Sequence, residues 1–191
     1  MPDLTGKYAD IRDKENNQEC KKLYPEEDLL EPSLHKRREV YYYKQYQQIN
    51  EITYSEKIQV ETLVKRICDF KQTYTQYGGV RPFGTALLIA GVDQTGARLF
   101  STDPSGALME YKAASEGAGR TGAMAYFEEH YKENSSMDEA VDLGVKALHK
   151  GTEGKLNPDA IEIGIVKKGV KFHILTAAET KNYVTKAIGG K

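Results

Sequence analysis

The sequence predicts an α+β fold in which antiparallel sheets are flanked by helices. Three observations favour this class. An amphipathic helix is followed by three short strands joined by tight turns, two further helices come next, and a strand hairpin with a final helix completes the order. Strands that succeed one another through tight turns pair antiparallel, so the first three strands are expected to form a meander.

The first 39 residues differ from the rest of the chain. Eighteen of them are charged, with both signs mixed, and only seven are Val, Ile, Leu, Met or Phe. Because this composition buries little apolar surface, we expect residues 1–39 to be disordered or loosely helical and residues 40–191 to form the folded domain. The basic cluster Lys36–Arg38 is flanked by Glu31 and Glu39, which favours a solvated helix face over a nucleic-acid patch.

Two helical segments precede the first strand. Residues 41–49 contain four tyrosines and are predicted to be the tail of a helix, whose rings pack or form an interface rather than stack on bases. An amphipathic helix is then predicted over Lys57–Tyr74. Its apolar stripe consists of Val60, Leu63, Val64, Ile67 and Cys68. Gly78 and Gly79 end this helix, and Pro82 directs the chain into an extended strand.

Three strands are predicted next, separated by turns at residues 93–96 and 103–106. The strands are Thr85–Val92, Arg98–Thr102 and Ala107–Ala114. The first is apolar enough to be fully buried. The other two alternate apolar and polar residues, as strands with a single buried face do.

Two helices and a hairpin complete the predicted elements. The first helix is expected over Thr121–Tyr131, and the second begins at Ser136, where an S-x-x-E pattern predicts a capping box. The stripe of the second helix is Ala140, Leu143, Gly144, Ala147 and Leu148, small enough for close helix packing. Alternating isoleucines over 161–165 and apolar residues over 170–174 predict a hairpin, followed by a short helix over Glu179–Ile188.

The sequence predicts no catalytic residues, no cofactor and no metal site. The loop Gly117–Gly122 is glycine-rich but lacks the Gly-Lys-Ser/Thr ending of a phosphate loop. A tight strand-to-helix connection is therefore favoured, with anion binding at the helix start as the alternative. Cys68 lies on an apolar stripe without a histidine in helical reach, and the cysteines and histidines show no metal-ligand spacing.

Composition excludes several classes of partner and location. The formal charge of -1 gives no overall attraction to nucleic acid or anionic lipid. The mean hydropathy is -0.61, and no apolar run approaches the roughly 20 residues of a membrane span. The N-terminus lacks the pattern of a secretory signal, so we expect a cytoplasmic protein that binds neither nucleic acid nor membrane.

The stretch from Tyr74 to Gly84 reads YTQYGGVRPFG and carries a resemblance to a known family. It is similar to the motif of proteasome core-particle α subunits, in the form of the archaeal type. The similarity continues through residues 88–93, 103–106 and 110–113, and it covers the chain from about Val40 to the C-terminus.

This resemblance implies both a fold and a role. The fold is the αββα sandwich of N-terminal-nucleophile hydrolases, of which the second half is present. The role is that of a non-catalytic structural and regulatory subunit acting in outer-ring assembly for protein degradation, since proteolysis belongs to the β subunits. The implied partners are other α subunits in a heptameric ring, the proteasome β subunits and a regulatory ATPase.

The chain departs from the family pattern upstream. The gating segment of the family, with its Tyr-Asp-Arg element and Ser-Pro-Asp-Gly-Arg turn, does not occur in residues 1–39. We therefore expect the N-terminal half of the family fold to be missing or replaced. No gate residue and no activator-pocket lysine is assigned.

The candidate site is the corner, defined as residues 74–84, which positions the chain against neighbouring subunits. Its predicted interface residues are Tyr74, Thr75, Gln76, Gly79, Arg81, Pro82, Phe83 and Gly84. The guanidinium of Arg81 offers a fixed cationic fork to a carboxylate or carbonyl. Three alternatives stay open: the corner stabilises only its own monomer, the chain is a fragment acting as an interaction module, or it is a threonine-type peptidase subunit using Thr5.

Overall fold

The computed structural model describes residues 7–13, 49, 52–55 and 57–189 of the 191-residue chain. The strands are β1 (Lys7–Asp13), β2 (Leu87–Asp93), β3 (Gly96–Thr102), β4 (Leu108–Glu110), β5 (Ile161–Lys167) and β6 (Val170–Ile174). The helices are α1 (Val60–Gln76), α2 (Arg120–His130), α3 (Met137–Gly151) and α4 (Ala177–Gly189), with a 3-10 turn at Pro158–Ala160. This content confirms the α+β class. Most of the predicted tyrosine-bearing helix tail lies outside the described residues.

The described strands form two three-stranded sheets, ordered β1-β5-β6 and β2-β3-β4. β5 pairs antiparallel with both of its neighbours, and β3 pairs antiparallel with β4. β2 and β3 are neighbours joined by the two-residue turn Gln94–Thr95, which confirms the predicted meander. β4 is only three residues long, shorter than predicted. β2 is half-buried rather than fully buried, because it lies at the edge of its sheet among the described strands.

The chain divides into two compact units. The first comprises the described residues 7–13, 90–99 and 112–189, and the second comprises those from 49 to 89 together with 100–111. The boundary predicted at residues 39 and 40 lies outside the described part of the chain and stays a prediction.

The core of the first unit lies between the β1-β5-β6 sheet and the last two helices. Its buried residues are Val141, Val145, Ile161, Ile163, Ile165, Val184 and Ala187. Full burial of a valine or isoleucine side chain contributes about 1.5–3 kcal/mol. The phenol of Tyr183 on α4 donates a hydrogen bond of 2.6 Å to Asp138 at the start of α3, which links the two helices.

The start of α3 contains the predicted capping box. The Ser136 backbone N–H donates to the Glu139 carboxylate at 2.6 Å, and the Glu139 backbone N–H donates to the Ser136 hydroxyl at 3.3 Å. Two N–H groups that a helix leaves unpaired at its N-terminus are thereby satisfied. The bond from the Ser136 backbone N–H contributes most to holding the pKa of Glu139 below its usual value, followed by a hydrogen bond from the Ser136 side chain.

One expectation for the N-terminal 39 residues is wrong over a short range. Residues 7–13 are neither disordered nor helical but form β1, which pairs with β5 in a register that places Lys7 opposite Lys167 and Asp13 opposite Ile161. The physical reason is a tertiary contact, because backbone hydrogen bonds to a distant strand stabilise an extended conformation that the local composition does not favour. The other residues of that segment lie outside the described part of the chain.

The core of the second unit is built on α1. Leu63, Val64, Ile67 and Cys68 are buried there with Ile89 and Phe100 from the neighbouring sheet. Four of the five residues of the predicted stripe are therefore buried, and Val60 is half-buried. The helical period of the apolar residues was sufficient to predict which face of α1 packs.

Candidate functional site

The corner begins in the last turn of α1 and ends before β2. The helix stops at Gln76, two residues beyond its predicted end, and the backbone becomes extended at Tyr77. Gly79 then adopts a φ of +83°, which reverses the chain direction at low conformational cost. The predicted glycine stop is thus placed directly after the helix.

Three aromatic rings fix the base of the corner. The ring centroids of Tyr74 and Phe83 lie 5.0 Å apart, and both rings contact Phe70, at 4.9 Å from Tyr74 and 5.6 Å from Phe83. The interplanar angles of 61° and 65° in the two pairs that include Tyr74 are typical of edge-to-face packing, which adds about 0.5–1.5 kcal/mol per pair beyond area burial. The rings of Phe70 and Phe83 are tilted by 53°. Phe83 is only 7% exposed. The chain after the glycine turn therefore packs against α1 through Phe83.

The outer side of the corner is exposed. We call this surface the rim and define it as Tyr77, Val80, Arg81 and Pro82. Tyr77 is 66% exposed and Val80 is 44% exposed, so two large apolar side chains face solvent on a fixed backbone. A Cβ added to Gly84 would lie 3.8 Å from the Arg81 Nη2, so the guanidinium lies beside this glycine. Within the described residues, that guanidinium forms no hydrogen bond or ion pair.

The predicted interface residues thus separate into two groups. Tyr74 and Phe83 serve the monomer's own packing, whereas the side chains of Gln76, Arg81 and Pro82 are exposed. The exposed residue Thr75 is bound within the helix, where its hydroxyl donates to the Gln72 carbonyl at 2.7 Å. Sequence reasoning missed Phe70 as a member of the ring cluster, although its place four residues before Tyr74 puts both on one helix face.

A second loop supports α1 beside the corner. The turn at residues 103–106 is closed by Asp103, whose carboxylate accepts hydrogen bonds from the Ser105 backbone at 2.8 Å, the Ser105 hydroxyl at 2.6 Å and the Ala107 backbone at 3.0 Å. Gly106, at a φ of +92°, lies directly against the helix backbone. The buried residue Lys71, which the sequence did not single out, donates from Nζ to the Asp103 carbonyl at 3.4 Å.

The hydrogen bond from the Ser105 side chain is the main reason that the pKa of Asp103 lies below its usual value. A lowered folded-state pKa means that the carboxylate stabilises the fold above its unfolded pKa, near 3.9, and that this contribution is lost as the pH falls through the folded value. Between about pH 6 and about pH 3, we expect Asp103→Asn to lose less stability than the wild type, by under about 1 kcal/mol because the group is exposed. The free energy of unfolding, measured with urea at both pH values, checks this. An equal change with pH in the two proteins would contradict it.

Cys68 has the properties of a packed thiol rather than a nucleophile. Burial raises its pKa to about 11, although the nearby positive charge of Lys71 acts in the opposite direction. A thiol with this pKa remains protonated near neutral pH, and a thiol is much less nucleophilic than a thiolate. Cys68 therefore belongs to the core of the second unit.

The glycine-rich loop after residue 116 serves a packing contact. A Cβ added to Gly119 would lie 2.4 Å from the carbonyl oxygen of Gly151, so the start of α2 and the end of α3 meet backbone to backbone. The Glu116 carboxylate lies 3.9 Å from the Arg120 guanidinium at this loop. These contacts favour the tight connection over the alternative of anion binding.

Two further features of the described residues bear on other kinds of site. No group of three or more His, Cys, Asp or Glu side chains is arranged there to hold a metal ion. None of the helices described is both long and apolar enough to cross a membrane.

Comparisons with known proteins place the corner in a shared region. A family model described as "Proteasome subunit" matches residues 38–166, more than half of the chain. Proteasome subunit alpha of Methanosarcina acetivorans is 55% identical over 138 residues, which are 72% of this chain and 56% of that protein. The proteins of the same name from Methanoregula boonei and Methanothermobacter thermautotrophicus are 53% and 51% identical over 138 residues, covering 58% and 56% of their own lengths.

The chain therefore spans little more than half the length of the curated relatives it matches. The region matched by the family model contains α1, the corner, the supporting turn at residues 103–106 and both helices that meet at Gly119 and Gly151. With the family model and the archaeal relatives in agreement, the chain belongs to the proteasome subunit family.

Proposed function

We propose that this chain is a non-catalytic α-type subunit of the proteasome core particle that contributes to outer-ring assembly in protein degradation. The observation that carries the proposal is the 51–55% identity over 138 residues to archaeal proteins named proteasome subunit alpha. The proposed partners are other α subunits in a heptameric ring, β subunits and a regulatory ATPase. The proposed location is the cytoplasm.

The proposal includes the finer fold, the αββα sandwich of N-terminal-nucleophile hydrolases. Two three-stranded sheets and helices that precede and follow the strands support it. Within this proposal Cys68 is a packed core residue, because burial raises the pKa of its thiol to about 11 and leaves this cysteine unsuited to nucleophilic attack.

We assign the subunit contact to the corner. The ring cluster and the glycine turn hold its backbone, while the rim presents apolar surface beside a guanidinium. Such a surface loses little conformational entropy on binding, because its backbone is already fixed. Aromatic and arginine side chains in this arrangement are typical of the residues that dominate protein interfaces.

Arg81→Ala is expected to weaken ring assembly. Removing an arginine that contacts a neighbouring subunit lowers association by about tenfold, or about 1.4 kcal/mol per contact. The measurement is native mass spectrometry of the chain co-expressed with an archaeal proteasome β subunit. The matched control is Arg120→Ala, which removes an exposed arginine outside the corner.

The outcomes separate the alternatives. An unchanged yield of rings for Arg81→Ala would exclude the interface role of the corner and favour a role within the monomer alone. A wild-type chain that stays monomeric beside β subunits would indicate an isolated interaction module. Turnover of a fluorogenic peptide by the chain alone, with an N-terminus processed to Thr5, would overturn the non-catalytic assignment.

A further inference from the structure

Lys71 is a fully buried lysine in the last third of α1. Lysine is among the side chains least often found fully buried, so its position calls for a physical explanation. Its Nζ donates to the Thr85 carbonyl at 3.0 Å, to the Thr102 hydroxyl at 3.2 Å and to the Asp103 carbonyl at 3.4 Å. An ammonium has three N–H donors, and each of these acceptors can take one of them.

The three acceptors come from separate parts of the second unit. Thr85 follows the corner directly, Thr102 is the last residue of β3, and Asp103 begins the supporting turn. Because the donor is an ammonium, each bond is charge-assisted and stronger than a bond between neutral groups. One side chain thus joins the helix, the exit of the corner and the turn.

The neighbouring contacts place Lys71 at the centre of a clamp. A Cβ on Gly106 would lie 2.5 Å from the Cys68 carbonyl and 3.0 Å from the Gln72 nitrogen, so the turn packs against the same stretch of helix that carries Lys71. On the corner side, Phe83 packs against Phe70, the residue before Lys71. Phe83 therefore anchors the corner by apolar contact, and Thr85 anchors it by a hydrogen bond two residues later.

We infer that Lys71 is the positioning residue of the corner: its ammonium fixes the exit at Thr85 and the turn at Asp103, so that the rim is presented in one geometry. The consequence for ring assembly rests on the proposed function. The local consequence does not, because the restraint acts within a single chain.

The test is hydrogen exchange, read by mass spectrometry, on Lys71→Met, which retains an unbranched apolar side chain as far as Cε and removes the donors on Nζ. We expect peptides spanning residues 78–86 and 103–107 to exchange about tenfold faster than in the wild type, while the β5–β6 hairpin is unchanged. The matched control is Lys65→Met on the same helix, whose side chain is 58% exposed and pairs with Glu61 at 2.6 Å. It should leave both peptides unchanged.

A second variant covers the case in which Lys71→Met does not fold. Thr102→Val removes a single acceptor at nearly constant volume, and we expect a smaller acceleration confined to the same two peptides. Faster hydrogen exchange in the hairpin as well as in the two peptides would overturn the inference, because Lys71 would then stabilise the whole fold. Unchanged exchange everywhere would also overturn it, because Lys71 would then restrain neither segment. If Lys71→Met accelerates exchange in the two peptides alone while Arg81→Ala still forms rings in normal yield, the inference holds and the interface role of the corner fails.

Discussion

Gly106→Ala is expected to destabilise the protein by about 3 kcal/mol or more, which lowers the melting temperature by roughly 6–12 °C. Two effects combine at this position. The φ of +92° is strained for any residue with a Cβ, at about 1–2 kcal/mol, and the added methyl would lie 2.5 Å from the Cys68 carbonyl oxygen. The turn must move off α1 to relieve this overlap. Thermal unfolding followed by circular dichroism measures the shift.

Gly79→Ala is the matched control for that substitution. Gly79 has a similar φ of +83°, but a Cβ there would meet nothing within 4 Å. Only the backbone strain applies, so a loss of about 1–2 kcal/mol is expected. If Gly106→Ala were no more destabilising than Gly79→Ala, the close contact of the turn with the helix would be refuted.

Gly119→Ala is the second substitution with a large expected effect, about 3 kcal/mol of lost stability. Its backbone φ of -86° is accessible to alanine, so strain does not contribute. The cost arises from the added methyl group, which would lie 2.4 Å from the carbonyl oxygen of Gly151 and force α2 and α3 apart. Chemical unfolding at equilibrium gives the difference in free energy.

Gly122→Ala, three residues later and inside α2, is expected to have the opposite effect on stability. Its Cβ would lie 3.5 Å from the Lys150 carbonyl oxygen, an ordinary contact, and alanine is favoured over glycine inside a helix by up to about 1 kcal/mol. We expect this variant to match or exceed the wild type in stability. Equal destabilisation by Gly119→Ala and Gly122→Ala would contradict the assignment of the cost to the close approach of Gly119 to Gly151.

Local signals in the sequence predicted much of the fold. The capping box at Ser136 was identified because both of its partners lie within one turn, and the β5–β6 hairpin because its two alternating segments are close in sequence. The stripe of α3 was predicted less well. Its buried positions are Val141, Val145 and Ala147, whereas residues 140, 143 and 144 are half-buried. Apolar residues surround much of that helix, so the period alone did not fix the face.

The features of the structure that the sequence did not predict depend on contacts between residues far apart in the chain. β1 owes its strand geometry to β5, which no property of the first 39 residues reveals. The corner was located from its residues, but the role of Lys71 was not, because two of its acceptors are backbone carbonyls whose positions follow from the fold. The contact between Gly119 and Gly151 could not be predicted for the same reason, because these residues meet only after two helices have packed.

The pairing of β1 with β5 has a consequence for the order of folding. Placing Lys7 opposite Lys167 closes a loop that contains most of the chain, whereas the hairpin of β5 with β6 closes a turn of two residues. Loop closure becomes entropically more costly as the loop lengthens, so the hairpin forms early and β1 docks late. Until β1 docks, the edge of β5 that it covers is an open template, and a complete chain is at that stage of folding most exposed to pairing with the wrong strand.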